Sequence, residues 1–225
     1  MIFKDFKNIE VENSLGVSPP GKDTSIIAKH ASRLNFKSAL EIGTGTGFIP
    51  IYLEKCGLSC QGSDINAKSI ACSVENARKN NCKINFFVSD LFQKVTEKYD
   101  LIIFSAPLGD YSSSFMSKYL EIVKSVFPKD SKMLHKAAFE LTKNQRAKLI
   151  QRFLNECQNY VNKNSMVLMS IHTPELGLVK NLSYKILDEY DDIWRLILIQ
   201  YWEILTFKNL EVLFKIYQIF FFTAK

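Results

Sequence analysis

One stretch, Gly43-Thr-Gly-Thr-Gly47, constrains the architecture of this chain more than any other. It follows directly on Ser38-Ala-Leu-Glu-Ile42, an apolar run that is too short for a helix and reads as a buried strand. Phe48 to Cys56 then carries a helical pattern that stops at Gly57. A strand emptying into a glycine turn and re-emerging as a helix is the opening of a βαβ unit, and the chain repeats that rhythm. Leu58 to Ser63 reads as a second strand and Asn66 to Asn80 as a helix, with Ile70, Val74 and Ala77 on one face. Ile84 to Val88 and Tyr99 to Phe104 read as further strands. A helix is predicted from about Lys136 to Val161, because Phe139, Ile150, Phe153, Leu154, Cys157 and Val161 fall at helical spacing, and Ser165 to Ile171 reads as a fifth strand. Strands alternating with helices of this length predict an α/β fold built on a mostly parallel sheet with helices on both faces. Glu175 to Asp188 is compatible with a helix. Ile193 to Leu205 and Val212 to Phe222 are rich in β-branched and aromatic residues and could close the sheet as a C-terminal antiparallel hairpin, although 193–205 also fits a buried helix.

Ligands of such sheets sit beyond the carboxyl ends of the strands. Three features converge there. Glycines let the backbone turn tightly after Glu41 and let a ligand approach without meeting a Cβ. Asp64 ends the second strand 17 residues after Gly47, where a carboxylate can accept both hydroxyls of a ribose. Ser89-Asp90-Leu91 ends the third, where an acid can bond an adenine amino group. Together they point to an adenosine-type cofactor. The competing reading is a plain tight turn with Asp64 and Asp90 serving as helix caps.

The quoted residues, Glu-Ile-Gly-Thr-Gly-Thr-Gly, Ser-Asp-Ile-Asn, Ser-Asp-Leu-Phe and Tyr-Asp-Leu-Ile-Ile-Phe, resemble the class I S-adenosylmethionine-dependent methyltransferases. They are similar in particular to the small-domain branch that includes the HemK-type glutamine methyltransferases of release factors. Pro20-Gly-Lys-Asp23-Thr24 matches an element that this branch carries before its glycine loop. The resemblance covers about residues 19–108 closely and 109–225 by architecture alone. It implies a Rossmann-like sheet of about seven strands and S-adenosylmethionine (SAM) as cofactor. Glu41, Gly43, Thr44, Gly45 and Gly47 would line the methionine end, Asp64, Ile65 and Asn66 would meet the ribose, and Asp90 and Leu91 the adenine. Thr24 would help close the pocket. The Gly-x-Gly-x-Gly spacing agrees, since a ligand without pyrophosphate does not call for Gly-x-Gly-x-x-Gly.

In that branch the fourth strand ends in Asn/Asp/Ser-Pro-Pro-aromatic, which clamps a planar NH₂ group. Here Ser105-Ala106-Pro107-Leu108 stands in its place, lacking the first proline and the aromatic face. Ser105 and the Ala106 carbonyl can still accept hydrogen bonds, so Ser105, Ala106 and Pro107 are the candidate acceptor-side residues, and Ser105 also borders the cofactor. His172, at the end of the fifth strand, is the candidate base for a hydroxyl acceptor. His135 and Tyr111 lie in the segment that would wall the acceptor, and Gly109 to Phe115 suits a lid, though a surface loop would read alike. His30 is assigned no role. Only about 37 residues precede the first strand, a helical cover (1–37) too small for a recognition domain, followed by a cofactor half (38–108) and an acceptor half (109–225) of one domain. With the clamp eroded, a small-molecule acceptor, methylated on N or O, is the expectation. A glutamine, tRNA or rRNA acceptor is the alternative, and a silent SAM-binding scaffold is a third.

Charge and cysteines narrow the class. The net charge of +6 resides between Ser117 and Arg152, where nine Lys/Arg face three Asp/Glu. Lys136, Lys143, Arg146, Lys148 and Arg152 are expected on the solvated face of a helix, with docking of RNA or an acidic protein as the sharper possibility. Five cysteines with no CxxC pair or nearby histidine exclude a zinc ribbon and argue against a disulfide framework. No apolar run approaches the ~20 residues of a membrane span, and the charged N-terminus lacks a signal sequence, so the chain is expected to be cytoplasmic.

Overall fold

The computed structural model describes residues 1–107, 131–190 and 194–200. Seven strands form one sheet: β3 (Ala39–Ile42), β4 (Cys60–Asp64), β5 (Phe86–Val88), β6 (Tyr99–Ser105), β7 (Val161–His172), β8 (Tyr184–Tyr190) and β9 (Trp194–Gln200). Their order is β5-β4-β3-β6-β7-β9-β8. β3 to β7 run parallel, and β9 inserts antiparallel between β7 and β8. The chain winds outward from β3 to β5 and then restarts at β6 on the other side of β3, so the crevice between the ends of β3 and β6 is the switch point of the fold. This is the α/β sheet expected from the sequence, including the antiparallel closure.

Alternate residues of the strands feed two cores. Ala39, Leu101, Ile103, Leu168, Leu196 and Leu198 pack under α1 (Lys22–Ala31), α2 (Phe48–Lys55) and α3 (Ala67–Lys79). Leu40, Ile42, Ile102, Phe104, Val167, Met169, Ile197 and Ile199 face the opposite way, onto Ile150, Phe153, Leu154 and Cys157 of α4 (Ser131–Cys157). That strict period of two with both faces buried is the mark of a central strand covered by helices.

The N-terminal cover holds more than a helix. A short antiparallel pair, β1 (Ile2–Phe3) and β2 (Ile9–Glu10), precedes α1; Phe6 packs edge-on against Phe48 and Tyr52 of α2, and the Phe3 ring lies tilted on Phe48. Two asparagines one turn apart on α3 hold the following residues as a neighbouring strand would. The Glu10 amide donates to Asn80 Oδ1 and the Asn80 amide donates to the Glu10 carbonyl, at 3.0 and 2.6 Å. Asn76 exchanges the same pair with Glu12, at 3.0 and 2.8 Å. The spacing works because i and i+4 of a helix are about 6 Å apart, close to i and i+2 of a strand.

The C-terminal part departs from expectation in its boundaries. Glu175 to Asp188 is a short 3-10 turn (Thr173–Leu178) followed by the strand β8, not a helix. Within the 193–205 run, Trp194–Gln200 is the strand β9, and its hairpin partner is β8; residues 201–205 and Val212 to Phe222 lie outside the described residues. β8 hides its identity because its register shifts between Ile186 and Asp188, which breaks the alternation that marks a strand.

Candidate active site

The loop after β3 owes its shape to its glycines. Gly43, Gly45 and Gly47 all have positive φ, at 79°, 55° and 78°. A Cβ at Gly43 or Gly45 would meet nothing within 4 Å, so both face open space above the switch point. Gly47 differs: a Cβ there would lie 2.8 Å from Ser73 Cβ and 3.0 Å from the Phe86 ring, so that glycine lets α2 pack on α3 and β5. The loop is then stitched to β4. Gly43 and Thr44 both donate to the Ser63 carbonyl, at 2.8 and 2.9 Å, and Asn76 of α3 donates to the Thr46 carbonyl at 3.0 Å.

Two carboxyl groups flank this loop. Glu41 is buried beneath it, with Thr44 Oγ1 donating to Oε2 at 2.7 Å. Burial pushes its carboxyl up to about 8, the Thr44 hydroxyl opposes this, and the charge of Asp64 adds to it. Asp64 ends β4 and accepts from the Gly45 amide at 3.0 Å and the Asn66 amide at 2.9 Å. Asn66 in turn caps α3 through Lys68 N. Next to Asp64, Ile65 is 68% exposed, an apolar side chain presented at the mouth of the crevice. A cradle of open glycines, a buried carboxyl, a second carboxylate held by backbone amides and a bare apolar side chain suit an adenosine bearing an amino-acid tail.

Beyond β5, Leu91 adopts a positive φ of 46° and is buried, and Ser89 accepts from the Lys94 amide to fix the turn. Asp90 pairs with Arg152 of α4 at 3.0 Å. Thr24 lies at the start of α1, its hydroxyl accepting from the Gly21 amide at 3.2 Å.

On the other side of the switch point, Ser105 closes β6 and is half-buried, Ala106 is buried and Pro107 is exposed. Behind them lies a group that the sequence did not disclose as functional. Arg146 of α4 is 1% exposed. Its Nη1 donates to the Ala106 carbonyl and, at 2.7 Å, to the Pro107 carbonyl. Nε and Nη2 fork onto Glu175 at 2.9 and 3.0 Å. Glu175 Oε2 also accepts the His172 amide at 2.8 Å, and the His172 ring is buried at the end of β7. The expectation that Arg146 lies on the solvated face of its helix is therefore corrected, since Arg146 is buried; Lys143, Lys148 and Arg152 are exposed as expected, and Arg152 also pairs with Asp90 and Glu156. Arg146 stands one turn before Ile150 and in phase with Phe153 and Cys157, so a charge lying on the apolar stripe is the signal that could have found it. Lys136 and His135 fall in α4 where side chains are not described; Tyr111, Leu108 and the 109–115 segment lie outside the described residues.

Among the described residues no helix is long and apolar enough to cross a membrane, and no cluster of His, Cys, Asp and Glu could hold a metal. The five cysteines are unpaired.

Comparison with known proteins gives the family and supports the fold. The chain is 32% identical over 189 residues to a Methanocaldococcus jannaschii protein assigned as a protein N5-glutamine methyltransferase, covering 81% of this chain and 88% of that one. It is 24% identical over 172 residues to the release factor glutamine methyltransferase of Lactococcus lactis, covering 74% and 60%. The fold matches a solved ribosomal protein L11 methylase from Lactobacillus delbrueckii subsp. bulgaricus with a TM-score of 0.57, at 18% identity and over 87% of this chain and 88% of that one. These relatives, named for protein acceptors, overturn the expectation of a small-molecule acceptor. Residues 20–170 match the methyltransferase small domain, and the chain belongs to that family of methyltransferases.

Proposed function

We propose that this chain transfers a methyl group from SAM to the side-chain amide nitrogen of a glutamine in a protein. The observation that carries the reading is the 32% identity to the M. jannaschii glutamine methyltransferase across 88% of its length. The site supports it residue by residue. Glu41, with Thr44 and the open glycines Gly43 and Gly45, would receive the amino-acid end of SAM. Asp64, with Asn66, would hold the ribose hydroxyls, Ile65 would cover the purine, and Asp90 would take its amino group beside Leu91. Thr24 would close this side. When bound, SAM supplies an electrophilic methyl group on a sulfonium.

The rest is positioning. An in-line displacement is accelerated chiefly by holding the reacting atoms collinear, and β6 delivers Ser105 at the crevice beside the glycine loop. The Ser105 hydroxyl accepts one amide N–H. The Ala106 carbonyl has two lone pairs, and with Arg146 on one of them the other is left for the second N–H. Two such bonds fix the plane of the amide and the direction of its nitrogen. His172 is not needed as a base for this acceptor, because the nitrogen loses its proton to water once methylated.

Incubating the protein with labelled SAM and fractionated lysate, then hydrolysing the labelled protein, should yield N5-methylglutamine. Label confined to RNA, or no label in protein, overturns the reading.

A further inference from the structure

Ala106 leaves the acceptor segment with only one proline to restrain it, yet the segment is not left loose. Arg146 carries a buried charge, and a buried ion pair is a poor way to gain stability: apolar residues of like volume often do better. Here the cation is spent on two consecutive main-chain carbonyls, while its carboxylate partner, Glu175, also takes the amide that starts the turn after β7. The ends of β6 and β7 are thus joined through one side chain of α4.

We infer that Arg146 is a positioning residue for methyl transfer, a guanidinium strut that fixes the backbone of Ser105-Ala106-Pro107 where a second proline ring would otherwise do so. This rests on the reading above that the segment presents the acceptor. The planar fork is essential to the role, because it reaches Glu175 and both carbonyls at once; a lysine ammonium is a single point of charge on a flexible stem.

The test is Arg146→Lys, which keeps a cationic side chain beside Glu175 and removes the fork. Hydrogen exchange at the Ser105 and Ala106 amides should accelerate at least tenfold while that of the 43–47 loop is unchanged, and SAM affinity by calorimetry should stay within twofold. The rate of methyl transfer into the protein fraction labelled by the parent should fall tenfold or more. Adding Ala106→Pro to Arg146→Lys should restore at least half of the loss, since Ser105 is already extended as a residue before proline must be. Unchanged exchange at Ser105 and Ala106 in Arg146→Lys, SAM affinity lost in step with turnover, or no rescue by the proline overturns the proposal. If the parent labels no protein, the glutamine reading fails by itself, and the exchange measurement still decides the strut.

Discussion

Glu41 carries the sharpest chemical consequence of any single residue. Its carboxyl is raised from the ordinary value of 4.5 to about 8, so the folded protein holds a proton that the unfolded chain has released across that window. Stability from this group is therefore complete below pH 4.5 and declines as pH rises to 8, by up to about 4 kcal/mol. Glu41→Gln should flatten that slope in urea melts, gaining most over the parent near pH 8. Because a cationic ligand favours the ionised acid, SAM binding near pH 7 should release a proton, detectable as a buffer-dependent enthalpy in calorimetry; equal enthalpies in buffers of different ionisation heat would refute the contact. The glycines separate by what surrounds them. Gly47→Ala combines a positive φ with a clash against Ser73 and should cost about 3 kcal/mol of stability. Gly45→Ala meets only open space, so it should cost about 1 kcal/mol of strain and appear mainly as lost SAM affinity. Melting and binding measured side by side distinguish the two.

At the scale of elements, the part of the fold read correctly from sequence is the part whose pattern is local. Strands β3, β4 and β6 announce themselves because they are largely buried on both faces, and a glycine marks where β3 ends, an acid where β4 ends and a proline where β6 ends. β8 was misread for the opposite reason: an edge strand with Lys185, Asp188 and Glu189 and a slipped register offers neither an apolar run nor a clean alternation. The candidate site divides the same way. The residues proposed for the cofactor were legible as candidates because they stand in short runs at strand ends, 41–47, 64–66 and 90–91. The acceptor side was not, since Arg146 finds Glu175 29 residues away and Ala106 40 residues away, and a lone arginine on a helix reads as a surface residue until its phase is compared with its neighbours. Asn76 and Asn80 were likewise silent, being polar residues whose partners are main-chain atoms of a distant segment. Asn80→Ala leaves the Glu10 amide and carbonyl without their bonds and should destabilise the protein by about 1–3 kcal/mol, with faster hydrogen exchange confined to residues 8–12. Exchange that rises uniformly over the sheet would refute so local a role.

For the molecule as a whole, the sheet order places the residues proposed for the cofactor and Ser105-Ala106-Pro107 on opposite sides of one crevice, and a ligand that binds only the folded chain links occupancy to folding. At a hundred times its dissociation constant, SAM should add about 2.7 kcal/mol to the unfolding free energy. Asp64→Ala should abolish most of that gain while changing the ligand-free protein far less, because Asp64 is only partly buried and bonds two loop amides. Equal ligand stabilisation of parent and variant in denaturant titrations would exclude Asp64 from the binding surface.

Asn76 touches Glu12 and Thr46 with the same amide group, so the dozen residues that open the chain share a nitrogen with the cofactor loop. Whatever settles that loop settles them. An environment-sensitive dye near Leu15, the most exposed large apolar residue described, would then report from the surface when the crevice fills, giving a continuous optical signal that requires no knowledge of the methyl acceptor.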